Sequence, residues 1–298
     1  PAILKYTRNV CYIGNLQSAR ILPGEVHFFD LNGDEVQITP TEIKWDAEAA
    51  EKAGFEHFMI KEIHEQPKAV GDTLASLIKN GSIDLSSAGL TEDLLKEIRS
   101  VHIAACGSAW HVAMAAQYVL EDLAEIPVRV ELASEFRYRK LLLGEKDLVV
   151  VISQSGETAD TLAALRESKK RGFKVMGIVN VVGSTIAKLA DHTLYTWAGP
   201  EIAVATTKGY TTQLAVLYLF ALYAAEKLGR LQKAEYAELV RSLKMLPKLL
   251  QETIDMNYQI PTFAGRYASR SLFFIGRNTD YAVALEGALK MKEISYLH

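Results

Sequence analysis

The chain reads as an α/β protein built on a five-stranded parallel sheet with helices on both faces. Three observations predict this. From about residue 93 to 229, short apolar runs alternate with helical stretches. One of those runs, "LVVVIS" at 148–153, is apolar enough to be a strand buried on both faces. The runs also end in turns that carry glycine and hydroxyl residues and lead into helices. Strands that alternate with helices form βαβ units, and doubly buried strands belong to parallel sheets.

Taken in order, residues 8–38 alternate apolar and polar positions, and "VHFFDLNGDEVQI" sets Asn32-Gly33 between two such runs. That pair predicts a hairpin, because the turn needs positive φ. The text from Lys44 to Val70 is charged and mixed and holds Pro67, so 47–70 reads as a linker before a helix near Val70 to Lys79. Strands are expected at 101–105, 127–132, 148–153, 173–179 and 193–197, with helices at 108–125 and 158–171. The second of these helices ends in Lys169, Lys170 and Arg171 with Gly172 as the C′ residue, the usual chemistry of a helix end. Helical text follows from about Gln213 to Glu252. After it, "RSLFFIGRNTDYAVALEGALKMKEISYLH" repeats the strand, glycine, polar turn and helix of "VHIAACGSAWHVAMAAQYVL". A second copy of the domain is therefore expected to begin near residue 240 and to stop after its first strand and helix.

Bulk composition narrows the function classes. A length of 298 residues suggests about two domains. Hydrophobic residues make up 49% and charged residues 23%, and the net charge of −3 argues against a nucleic-acid partner. Cys11 and Cys106 lie far apart and outside any CxxC spacing, which argues for a reducing compartment and against disulfides or zinc. A cytoplasmic protein is expected. No apolar run reaches the roughly 18–20 residues of a membrane span, and "PAILKYTRNV" lacks the core of a signal peptide. The chain begins with Pro and stops at "KEISYLH" inside a helical pattern, so a fragment is expected.

In open parallel sheets ligands sit beyond the carboxyl ends of the strands, where adjacent connections diverge. Ser153 to Thr158 lies at such an end. Ser153, Ser155 and Thr158 offer hydroxyls, Gln154 an amide, and Gly156 allows close backbone approach to an oxyanion. The turn contains no lysine or arginine, so a phosphate there would be held by neutral donors and the helix N-terminus. Each hydrogen bond to a charged group contributes about 1.5–3 kcal/mol net. Simple capping of the helix by Ser and Thr accounts for the turn equally well. With strand order 2-1-3-4-5, the turn "CGSAWH" (106–111) neighbours this one at the switch point, which brings Gly107 and Ser108 to the same cleft. A third turn, "AGPEIAVATTKGYTT", occupies 198–212. Cys106 reads as a small core residue more readily than as a nucleophile, and His111 as structural more readily than as a ligand. Lys208 is either an anion contact or a solvated lysine. Glu286, Lys290 and Glu293 are spaced i, i+4, i+7 and share a helix face, as an ion-pair ladder or as a proton-transferring carboxylate beside a lysine.

Together, "CGSAWH", "ELASEFRYRK", "SQSGETADTLAAL", "GPEIAVATTKGYTTQL" and "ALEGALKMKEISY" resemble the glutamine:fructose-6-phosphate amidotransferases, the glucosamine-6-phosphate synthases. The resemblance covers nearly the whole chain, and five motifs in one order are far more specific than any one. It implies a glutaminase domain followed by two tandem sugar-isomerase (SIS) domains of αβα sandwich type with flavodoxin-like strand order. It also implies conversion of fructose 6-phosphate and glutamine-derived ammonia to glucosamine 6-phosphate. On this basis residues 1–46 resemble the closing strands of the glutaminase domain, 71–235 the first SIS domain and 236–298 the start of the second.

The resemblance also implies roles. The phosphate loop corresponds to Ser153, Gln154, Ser155 and Thr158, with Gly107 and Ser108 in the neighbouring turn and backbone contacts to the sugar from Val204 and Ala205. Where the family has Cys-Gly-Thr-Ser, this chain has Cys-Gly-Ser-Ala, so Ala109 lacks a hydroxyl expected near the phosphate. Glu293 matches the acid/base that moves the proton between the first two sugar carbons, and Lys290 the lysine beside it. Neither Cys11 nor Cys106 is the N-terminal glutaminase nucleophile, and the family's ring-opening histidine and Schiff-base lysine lie beyond His298. The segment alone is thus expected to be inactive, as part of a homodimeric enzyme with no metal or cofactor. A non-enzymatic SIS sensor of sugar phosphates and an FMN-binding flavodoxin-like carrier are the alternatives.

Overall fold

The computed structural model describes residues 6–42, 51–267 and 271–297, and the chain divides into two compact units, 1–55 and 56–298. In the first unit β1 (Asn9–Val10), β2 (Ser18–Leu22), β3 (Glu25–Phe29), β4 (Glu35–Val36) and β5 (Thr41–Glu42) are all antiparallel. β2, β3 and β4 form a meander, and β1 pairs with β5. The hairpin expected at Asn32-Gly33 joins β3 to β4: Gly33 has a φ of +86°, and Asp30 Oδ1 accepts from the N–H groups of Asn32 and Asp34 at 2.9 and 3.0 Å. The β2–β3 turn uses Pro23-Gly24, with Gly24 at a φ of +87°. The boundary expected at 46/47 lies outside the described residues.

The second unit opens with α1 (Phe58–Leu77), followed by the short antiparallel pair β6 (Ile78–Lys79) and β7 (Ser82–Ile83) and by α2 (Glu92–Glu97). Next come β8 (Ser100–Ala105), α3 (Gly107–Ala124), β9 (Val128–Leu132), α4 (Ala133–Phe136), β10 (Asp147–Ser153), α5 (Ala159–Lys170), β11 (Lys174–Val179), α6 (Thr185–Leu189) and β12 (His192–Tyr195). The chain continues through α7 (Lys208–Lys227), α8 (Lys233–Asp255), α9 (Ile260–Tyr267) and α10 (Thr279–Ser295).

The sheet runs β12-β11-β10-β8-β9 with every pair parallel, which is the expected 2-1-3-4-5 order. All seven residues of β10 are buried, because this central strand feeds two cores. Leu148, Val150 and Ile152 face a core shared with α1, α3, α7 and α8; Val149 and Val151 face another shared with Phe136, Leu162, Leu165 and Ile186. Burying each such side chain contributes about 1.5–3 kcal/mol. The result is an αβα sandwich. α5 ends as expected: Gly172 takes a φ of +81°, and Phe173 N–H donates to Ser168 O at 3.1 Å while Gly172 N–H donates to Lys169 O at 3.0 Å, a Schellman closure. No described helix is long and apolar enough to cross a membrane.

The structure corrects the reading of 47–70 as a linker: α1 begins at Phe58, so 58–70 is helical. Pro67 sits inside it and cannot donate to Ile63 O, but Gln66 Nε2 takes that carbonyl at 3.2 Å. The helix is held by tertiary burial of Lys61, Glu62, Ala69, Val70 and Leu74. The expected boundary at 235/236 falls within the first turn of α8, whose Val240 and Leu243 belong to the sheet domain's core. The helical text of 213–252 is two helices, which start at Lys208 and part at Gly229, with a φ of +68°. The strand expected in "LFFI" is absent: 271–276 forms no ladder, and Phe273 and Ile275 are each 91% exposed. A strand exists only beside another strand, and among the described residues none pairs with this segment.

Candidate active site

The carboxyl ends of β8 and β10, the 198–207 loop and one face of α10 line a cleft of about 240 Å³. At the end of β10 the chain turns through Ser153 to Thr158 before α5. Ser153 is buried; its Oγ accepts from Gly156 N–H at 3.0 Å and lies 2.8 Å from Thr158 Oγ1. Ser155 Oγ accepts from Glu157 N–H at 3.2 Å, and Glu157 Oε1 accepts from Thr185 N–H at 2.7 Å. The next connection braces the turn from behind, since Ile186 N–H donates to Gly156 O and Asn180 N–H to Gln154 O. Gly156 has a φ of +70°, and a Cβ there would lie 2.1 Å from Ser184 Oγ. No side chain caps α5, because Thr158 Oγ1 is turned to Ser153. The helix end and the hydroxyls face the cleft as neutral donors to an anion.

At the end of β8, Gly107 opens α3 with a φ of +56°. Ser108 Oγ donates to Glu286 Oε1 at 2.8 Å, and the other oxygen of Glu286 pairs with His111 Nδ1 at 2.7 Å. Glu286 and His111 are buried where α10 packs on α3. Lys290 Nζ lies 3.4 Å from Glu286 Oε1, 2.6 Å from Glu293 Oε2 and 3.1 Å from Ser108 Oγ. The three α10 residues thus form a ladder, but one whose inner rung is buried and whose outer pair, Lys290 and Glu293, lines the cleft. The ion pair holds the Glu293 carboxylate at the cleft wall.

The 198–207 loop is held by carboxylates. Glu201 accepts from Thr206 Oγ1 at 2.7 Å, Thr207 N–H at 2.8 Å and Gly209 N–H at 3.0 Å, which ties the start of α7. Glu62 of α1 accepts from Ile202 N–H at 2.6 Å and Ala203 N–H at 3.2 Å. Burial pushes the Glu62 carboxyl above the ordinary range, against the pull of those two N–H donors. Lys208, expected as an anion contact or a solvated lysine, is instead buried in an ion pair with Glu65 Oε2 at 2.6 Å.

Of the residues expected at the site, Ser108, Ser153, Gln154, Ser155, Thr158, Val204, Lys290 and Glu293 line one cleft. Gly107 and Ala205 do not; Ala205 is a buried residue of the loop. Ala109 lines the cleft without a hydroxyl, and the hydroxyl of neighbouring Ser108 is bonded to Glu286. Cys106 is half-buried with its Sγ 3.9 Å from Thr161 Oγ1, packed against the second core. Thr161, Thr206 and Gln213 also line the cleft and were not singled out in the sequence. The α1 clamp was missed as well; its signal was the i, i+4 pair Lys61 and Glu65, 3.4 Å apart, in a segment rich in charge.

Residues 94–223 match the SIS domain family. Across its whole length the chain is 52% identical to a glutamine–fructose-6-phosphate aminotransferase (isomerizing) of Caldanaerobacter subterraneus subsp. tengcongensis and 46% identical to one of Clostridium acetobutylicum, covering 49% of each. It therefore spans about half the length of the curated relatives it matches. Among solved structures, the C-terminal domain of glucosamine-fructose-6-phosphate aminotransferase from Francisella tularensis aligns with a TM-score of 0.81 at 39% identity, over 83% of this chain and 70% of that one.

Proposed function

The chain belongs to the glutamine–fructose-6-phosphate aminotransferase family, and from that premise we propose that its cleft binds fructose 6-phosphate and carries the acid/base of the isomerisation. One observation carries the reading: a turn of neutral donors at a helix N-terminus, Ser153 to Thr158, shares one cleft with the Lys290–Glu293 pair. Ser153, Gln154, Ser155 and Thr158, with Ser108 beside them, hold the phosphate dianion. Val204 meets the sugar through its backbone. The anchored phosphate places the first two sugar carbons at Glu293.

Ammonia released from glutamine condenses with the C2 carbonyl and expels water to give an imine. Glu293 takes a proton from C1 and returns it to C2. In the same steps the C1 hydroxyl gives up its proton and the nitrogen gains one, so the ketose imine becomes the 2-amino aldose, glucosamine 6-phosphate. Lys290 holds the Glu293 carboxylate in line during both transfers. The complete reaction belongs to the longer protein. On this reading 1–46 closes a glutaminase domain, 71–235 is the first SIS domain, 236–298 begins the second, and the enzyme is a cytoplasmic homodimer.

Calorimetric titration of the full-length protein with fructose 6-phosphate tests the proposal. Ser155→Ala with Thr158→Ala removes two hydroxyls and should weaken binding at least about tenfold. A wild type that binds neither fructose nor glucosamine 6-phosphate, or undiminished binding in the double variant, would count against it.

A further inference from the structure

Glu62 is 1% exposed in α1, within a segment that reads as linker in the sequence, yet it makes no use of its burial for packing alone. Its Oε1 accepts from Ile202 N–H at 2.6 Å and from Ala203 N–H at 3.2 Å, and its Oε2 lies 3.3 Å from the same Ala203 nitrogen. One turn further along α1, Glu65 pairs with Lys208 at 2.6 Å and with Lys61 at 3.4 Å. The far end of the loop is held separately by Glu201 through Thr206, Thr207 and Gly209. Val204 and Ala205 are the residues suspended between these anchors. Val204 is fully exposed at the cleft, and the stretch around it has no helix or strand of its own to set its shape.

A loop without internal ladder bonds samples many backbone conformations unless something outside it absorbs its N–H groups. A buried carboxylate is the strongest neutral-backbone acceptor available, and desolvation is tolerated only where such donors converge on it. The phosphate turn, by contrast, is braced by β11 and α6 and makes none of its bonds to α1.

We infer that Glu62 is a positioning residue for the sugar subsite: by holding Ile202 and Ala203 it fixes Val204 in the shape that meets the sugar backbone-first, while the phosphate turn stays independent of it. This rests on the assignment of the cleft to fructose 6-phosphate. The two halves of the ligand are therefore read out by different parts of the chain, and only one of them depends on α1.

The test is calorimetry on the full-length protein with two probes, inorganic phosphate and fructose 6-phosphate, for wild type, Glu62→Ala and Glu62→Gln. Glu62→Ala should weaken fructose 6-phosphate about tenfold and leave inorganic phosphate within about twofold of wild type. Glu62→Gln keeps one acceptor oxygen and should recover part of the loss, about threefold weaker than wild type. Equal fructose 6-phosphate affinity in wild type and Glu62→Ala overturns the inference, as does a parallel loss of both probes, which marks a general loss of fold. Should Glu62→Ala not fold, Glu62→Gln decides: selective weakening of the sugar phosphate supports the inference and unchanged affinity overturns it. A wild type that takes up inorganic phosphate but not fructose 6-phosphate instead overturns the assignment of the cleft, and this inference with it.

Discussion

Replacing Gly156 by alanine sets two separable costs on the phosphate turn. Gly156 takes a φ of +70°, a conformation that costs an L-residue about 1–2 kcal/mol. The added Cβ would also lie 2.1 Å from Ser184 Oγ and 2.5 Å from Ser184 Cβ. Rotation of Ser184 moves its hydroxyl, but its Cβ is fixed to the backbone at the N-cap of α6. Restoring an ordinary carbon–carbon separation of about 3.5 Å requires the turn or α6 to shift by about 1 Å. That shift strains the bonds that hold the turn, Ile186 N–H to Gly156 O at 3.1 Å and Gly156 N–H to Ser153 Oγ at 3.0 Å. Each is worth about 1 kcal/mol, so Gly156→Ala should cost about 3–4 kcal/mol in all. In a Ser184→Gly background the next neighbour of the new Cβ is Val179 Cγ1 at 3.4 Å, an ordinary contact, and Ser184 makes no side-chain cap bond whose loss would confuse the result. There only the backbone cost of about 1–2 kcal/mol should remain. Urea unfolding of the four proteins in the cycle should therefore give a coupling of about 2 kcal/mol. An additive cycle, with Gly156→Ala equally costly with and without the Ser184 side chain, refutes the reasoning. Fructose 6-phosphate titrations should follow the same pattern, with affinity lost in Gly156→Ala and partly restored in the double variant.

Two further outcomes follow from buried polar groups. Glu286→Ala leaves His111 and Ser108 without their hydrogen-bond partner and should cost about 2 kcal/mol in urea unfolding, and adding His111→Phe should bring back part of that loss; full additivity of the two variants would show that the pair is not coupled. Acid should also destabilise the sheet domain through Asp147 and Asp191. Burial alone would raise each carboxyl, but Gly144 N–H and Ser100 Oγ at Asp147, and Lys169 and Val175 N–H at Asp191, outweigh it and hold both below the usual range. A depressed folded value means stability that is complete above the unfolded pKa of about 3.9 and is lost as pH falls through the folded values. The urea midpoint should fall as the pH drops below about 4, and Asp147→Asn with Asp191→Asn should flatten that fall; an unchanged slope in the double variant would remove the two residues from the account.

The sheet was legible because its information is local. "LVVVIS" could only be a strand covered on both faces, Gly172 could only end α5, and the hydroxyls of 153–158 could only lie at a strand's carboxyl end once the alternation was read. The α10 triad was legible as a shared face for the same reason, since i, i+4, i+7 spacing is geometry of one helix. What that face meets was not. Ser108 and His111, the latter 175 positions away from Glu286, reach it only when α10 packs on α3. Segment 58–70 looked like a linker because its mixed charges and Pro67 obscure the helical period; as α1 it buries Glu62 against backbone donors 140 positions further on. The opposite error, a strand expected at "LFFI", has the same origin: β-pairing and the burial of charge both depend on partners remote in sequence, and a run of residues carries no record of whether those partners are there.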